Sequence, residues 1–131
     1  MARYTLHGIF ASGPTYKVAL MLQLTGTPWE LRFVDFFKGE ARSPEFLKLN
    51  EMGEVPVLVD SDQVLTQSGM ILDHLAEKTG RFGGATADEA REVWRWILWD
   101  NHKLSTQIGT ARFLANFLPE DKRPAGVVPF L

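Results

Sequence analysis

The sequence predicts a small mixed α/β domain followed by an all-helical stretch. Two observations carry this. Over roughly the first 80 residues, short β-type runs alternate with helix-period segments in the order β-α-β-α-β-β-α. After a glycine-rich break, Thr86-Ala87-Asp88-Glu89 forms a capping box that opens a helical pattern reaching about Leu118.

Each element has its own start and stop signals. Tyr4-Thr5-Leu6 reads as a short buried strand ended by Gly8. Ser12-Gly13-Pro14 opens a helix carrying Val18, Leu20, Met21, Leu22 and Leu24. Pro14 suits its first turn, where a missing N–H costs nothing. Gly26 and Pro28 end it. Trp29 to Phe37 alternates as a second strand, with Leu31, Phe33 and Asp35 on one face and Glu30, Arg32 and Val34 on the other. Ser43-Pro44-Glu45 supplies a cap, a proline at the first helical position and an acid in the first turn. Val55 to Val59 and Gln63 to Thr66 flank Asp60-Ser61-Asp62, a hairpin signature. Gln67-Ser68 then opens an amphipathic helix with Ile71, Leu72 and Leu75.

Thr79 to Thr86 reads as a linker, so residues 1–82 and 83–131 are expected to form two units. In the second, Val93, Trp94, Ile97, Leu98, Leu104 and Ile108 share an apolar side with Asn101, and Pro119, Pro124 and Pro129 interrupt regular structure beyond Leu118. A single helix cannot bury Trp94, Trp96 and Trp99. These are expected to need another helix, a second subunit or further sequence.

Composition narrows the function classes. Of 131 residues, 45% are hydrophobic and 23% charged, with a formal net charge of −2, which gives no case for an electrostatic nucleic-acid binder. No run of about 18 apolar residues is present, so no membrane span is expected. The Met1-Ala2-Arg3-Tyr4-Thr5 start lacks the apolar core of a signal peptide. Cysteine is absent, which removes disulfides, thiolate metal sites, cysteine nucleophiles and Cys-x-x-Cys exchange. These readings point to the cytoplasm. His7, His74 and His102 are far apart without an i,i+4 partner, so no metal site is expected, and His74 is expected to face solvent or pack on its helix.

Five stretches in order resemble a glutathione transferase of the serine-type, theta-like and bacterial branch. They are Ser12 to Val18, Gly26-Thr27-Pro28-Trp29-Glu30-Leu31, Ser43 to Asn50, Gly53-Glu54-Val55-Pro56-Val57-Leu58 and Leu65 to Leu72. The resemblance implies a thioredoxin-like fold over 1–82 and the first part of a helical domain over 83–131. It also implies that the chain, ending at Leu131, is a truncated piece without most of the electrophile pocket. Glutathione is the implied co-substrate, with no metal, a small-molecule electrophile as the other reactant, and a homodimer as the assembly.

The resemblance also implies a role for each site residue. A cis Val55–Pro56 bond would turn the Val55 N–H and C=O outward to pair with the ligand backbone like an added strand; on spacing alone, trans is the commoner form. Glu54, Val55, Pro56, Gln67 and Ser68 are the implied glutathione-binding residues, with Ser68 and Gln67 receiving a carboxylate at a helix N-terminus. Read without the resemblance, Ser68 simply caps that helix. Ser12 is the implied catalytic residue, donating a hydrogen bond that lowers the thiol pKa; its plain alternative is a turn serine capping the first helix. Thr15 is a fallback hydroxyl, and Tyr4 lies too early to be the tyrosine of other branches. Glu54 departs from the Lys or Gln usual before Val-Pro, and the His that theta-type members use after the second strand has no counterpart in Lys38-Gly39-Glu40-Ala41-Arg42; Lys38 or Arg42 either supplies the missing positive charge or is a solvated surface residue. Asp100 and Arg112 read as surface residues of the long helix, the alternative implied by the resemblance being a reach to the neighbouring subunit's glutathione. The implied function is activation of the glutathione thiol for attack on small hydrophobic electrophiles. The alternative is a catalytically weak, transferase-like binding or interaction module.

Overall fold

The computed structural model describes residues 3–127, so Pro129 and the Met1-Ala2 start lie outside the described residues. The fold is the expected thioredoxin-like α/β arrangement with a helical segment after it. Strands β1 (Tyr4–Gly8), β2 (Trp29–Phe33), β3 (Val57–Asp60) and β4 (Gln63–Thr66) form one mixed sheet in the order β2-β1-β3-β4. β1 and β2 are parallel, with Leu6 opposite Leu31; β3 is antiparallel to both β1 and β4.

Alternation along the strands divides the core between two faces. Tyr4, Leu6 and Leu58 point to one side, where they pack with Val18 and Leu22 of α1 (Gly13–Thr25) and Ile71 and Leu75 of α3 (Ser68–Thr79). All seven are fully buried, each contributing about 1.5–3 kcal/mol of transfer free energy. On the other side Val57 meets Val34, Ala41 and Phe46 of the short α2 (Pro44–Leu49).

Local signals explain the helix ends. Ser12 and Ser43 accept from the N–H groups of Thr15 and Phe46, and Gly26 and Gly80 take left-handed C-cap conformations. The Thr86–Glu89 capping box forms as expected at the start of α4 (Ala87–Trp99). Among the described residues, no helix is long and apolar enough to cross a membrane.

Three elements differ from expectation. β2 ends at Phe33 rather than Phe37, because β1 ends opposite it; the Val34 N–H closes on Gly8 O and Asp35 caps a 3-10 turn at Phe36–Lys38. Val55 and Pro56 lie before β3 instead of inside it. The long helix is divided: α4 passes through a π turn at Asp100–Leu104 into α5 (Ser105–Asn116). A π turn inserts a residue and rotates everything after it. The apolar side read on one helical net is therefore split. Val93, Trp94, Ile97 and Asn101 are half-buried, while Leu104 and Ile108 are exposed; Leu98 is exposed within α4 itself, before the turn. Trp96 and Trp99 meet edge to face at 5.6 Å and remain about half exposed.

His74 is also corrected. Its Nε2 lies 2.9 Å from Asp60 Oδ2, and its side chain is only 12% exposed, so it joins α3 to the end of β3.

Candidate functional site

The site lies where α1, the Val55 loop and the start of α3 converge. Ser12, Glu54, Val55, Pro56, Gln67 and Ser68, drawn from three separate stretches, all line one cleft of about 500 Å³.

The Val55–Pro56 bond is cis. Among the described residues, neither the Val55 N–H nor its C=O has a hydrogen-bond partner, although buried Pro56 anchors the turn from behind. Unpaired backbone groups on an edge are a template for an extended peptide. Asn50, 4% exposed, shapes this loop: its Nδ2 donates to Glu54 O at 2.8 Å, and its Oδ1 accepts from Met52 N at 3.1 Å.

At the start of α3, Gln67 holds the cap position but makes no capping hydrogen bond through its side chain. Ser68 is therefore the first helical residue and not the cap, and it is buried. The first N–H groups and the helix dipole form an anion site there. Gln67 has φ 65° and ψ 112°, a conformation L residues rarely adopt and one that concentrates at functional positions. Its Nε2 is directed to Glu54 Oε2 at 3.4 Å and to the Met52 sulfur at 3.6 Å.

Ser12 is half-buried, and its hydroxyl oxygen accepts from Thr15 N at 3.3 Å. The capping reading thus holds, yet the O–H proton is left available to donate into the cleft. Thr15 does not serve as a fallback. Its side chain is fully buried beneath Gly8, where a Cβ would meet Thr15 Cγ2 at 2.5 Å. Tyr4 is likewise buried in the core.

Lys38 and Arg42 follow the solvated-surface alternative. Lys38 pairs with Asp35, and Arg42 Nη1 donates to Met52 O; neither lines the cleft. Asp100 is bound by Lys17. Arg112 does line the cleft, and its Nη1 donates to Ala11 O at 3.1 Å, just before Ser12. The sequence reading missed this wall, which also includes Phe36, Phe37, Phe113 and Phe117. The Phe-Phe pair and the i,i+4 spacing of Phe113 and Phe117 were the available signals. Among the described residues, no group of three His, Cys, Asp or Glu side chains could hold a metal ion.

The arrangement offers an extended, anionic peptide unpaired backbone groups at Val55, helix N–H groups at Ser68 and a hydroxyl at Ser12 on one cleft. Comparison with known proteins agrees with this geometry. Residues 2–77 match the family described as glutathione S-transferase, N-terminal domain. A glutathione S-transferase 1 from Dianthus caryophyllus is 45% identical over 73 residues, covering 56% of this chain and 33% of that protein. A zeta-class glutathione S-transferase from Euphorbia esula is 32% identical over 126 residues, covering 96% of this chain and 56% of that protein. The chain thus spans between a third and just over half of these relatives. A Burkholderia graminis glutathione transferase, solved with two glutathione molecules bound per subunit, superposes with a TM-score of 0.86 at 27% identity, over 98% of this chain and 55% of that one.

Proposed function

Because the chain belongs to the glutathione S-transferase family, we propose that its cleft binds glutathione and activates its thiol for attack on small electrophiles. The observation that carries the reading is the convergence of Ser12, Val55 and Ser68 on one cleft. The cysteinyl backbone of the ligand pairs with Val55, and its γ-glutamyl carboxylate takes the N–H groups at Ser68. Gln67 and the Glu54 backbone complete that end, with Pro56 behind them. The Ser12 hydroxyl donates to the thiol sulfur. That bond favours the thiolate, which otherwise forms with a pKa of about 8.5.

In the same reading residues 1–82 form the glutathione-binding domain, and 83–131 begin a helical domain that supplies the electrophile side. A homodimer and a co-substrate electrophile belong to the full-length activity.

Calorimetry with glutathione tests the binding step. Saturable binding that Ser68→Ala weakens supports it; no binding to the wild-type chain defeats it. The ultraviolet absorbance of the thiolate, followed against pH, tests the Ser12 role. Ser12→Ala should raise the apparent pKa of the bound thiol toward its free value without abolishing binding.

A further inference from the structure

One wall of the cleft is formed by four phenyl rings. Phe36 and Phe37 come from the turn after β2, and Phe113 and Phe117 from the end of α5. Phe37 and Phe117 stack with centroids 4.9 Å apart and planes 29° apart. Phe36 meets Phe37 edge-on at 6.0 Å, and Phe113 lies 6.5 Å from Phe117. The four remain between 38% and 51% exposed, and all four line the cleft. Flat rings in offset and edge contact extend naturally to one more aromatic ring.

Beside them stands Arg112, its guanidinium carbon 5.9 Å from the Phe117 centroid. Among the described residues the two charged side chains on the cleft are Glu54 and Arg112. Glu54 is met by Gln67, at the Val55 end. No described carboxylate pairs with Arg112. One of its N–H groups goes to Ala11 O, and the rest of its donor fork suits a carboxylate or a similar planar anion.

We infer that this wall of the cleft takes a planar aryl electrophile bearing a carboxylate or comparable anionic group, with its ring on the phenylalanines and its anion on Arg112. The inference rests on the glutathione reading of the Ser12, Val55 and Ser68 residues. With an electron-poor aryl halide, the thiolate sulfur adds to the halide-bearing carbon and a C–S bond forms. The displaced pair passes into the ring and its electron-withdrawing group, then returns as halide leaves with its bonding pair. The thiol proton goes to solvent.

The test is calorimetry on the full 131-residue chain with three ligands: S-methylglutathione and the glutathione conjugates of 4-chloro-3-nitrobenzoate and 4-chloro-3-nitrobenzamide. The carboxylate conjugate should bind about tenfold tighter than the carboxamide, as one charge-assisted contact warrants. Arg112→Gln should bring the two within about twofold while S-methylglutathione is unchanged. Phe117→Leu should weaken both aryl conjugates alike.

Equal affinities of the two conjugates in the wild-type chain overturn the inference without any variant. So does a preference that survives Arg112→Gln, or an Arg112→Gln variant that loses S-methylglutathione as strongly as the carboxylate conjugate, which would assign the arginine to glutathione itself. If S-methylglutathione does not bind the wild-type chain, the glutathione reading falls and this one falls with it.

Discussion

Lys17 of α1 and Asp100 of the π turn form an ion pair with Nζ and Oδ2 2.5 Å apart, and the same Nζ donates to Asn101 Oδ1 at 2.9 Å. Both charged side chains are less than a quarter exposed, and Ser105 Oγ donates to the other Asp100 oxygen at 2.9 Å. One lysine thus holds the helical segment against the α/β sheet domain at the point where the helix changes phase.

Lys17→Met leaves Asp100 half-buried without its cation. The expected loss is about 1–2 kcal/mol, reduced from the fully buried case by residual solvent. A lower urea midpoint with an unchanged slope is the expected record. An unchanged midpoint would show that the pair contributes nothing net.

Asn50→Ala removes both side-chain hydrogen bonds that shape the loop before Val55. Because Asn50 is buried, the expected cost is about 1–3 kcal/mol. Glutathione binding should weaken as well, since the loop presents the Val55 backbone. Denaturant titration and calorimetry on the same variant check the two effects together.

Glu54→Gln removes an acid from the proposed glutathione site and frees the Gln67 amide from it. The expected effect is tighter glutathione binding by roughly two- to fivefold, the size of an exposed charge interaction. The gain should shrink at high salt. Weaker binding would mean that the Glu54 carboxylate itself contacts the ligand.

Tyr4→Phe probes a buried hydroxyl with no hydrogen-bond partner among the described residues. Removing an unsatisfied buried group should leave stability within about 1 kcal/mol of the wild type, or above it. Burial pushes the Tyr4 phenol upward, with Asp60 adding to the shift and Arg3 opposing it. The folded state therefore resists ionisation where the unfolded chain gives up its proton. This contribution is intact below the ordinary tyrosine pKa of about 10 and is lost as pH rises toward the folded value. Wild-type stability should fall more steeply above that pH than the variant's, as read by urea midpoints across an alkaline series.

Much of the fold was legible because its elements carry local signals: Gly26 and Pro28 after α1, Ser43-Pro44 before α2, and the Thr86–Glu89 box at the start of α4. Long-range partners were not legible. Where β2 stops depends on where β1 stops, and where His74 points depends on Asp60, fourteen residues earlier in sequence. The π turn has no composition of its own, and continuing one helical period through it assigned Leu104 and Ile108 to the wrong side. The Ser12, Val55 and Ser68 stretches of the cleft were readable as motifs. The Arg112 and phenylalanine wall required knowing how α5 lies across Ser12.

The backbone of Gln67 has a further implication. At φ 65° and ψ 112°, a glycine there would relieve the conformation, while an L residue keeps the first turn of α3 aimed at the cleft. Selection for thermal robustness and selection for ligand capture pull in opposite directions at this one position. A laboratory search for heat-resistant variants should find Gln67→Gly readily. The survivors of that search are the ones expected to have traded away their grip on the peptide.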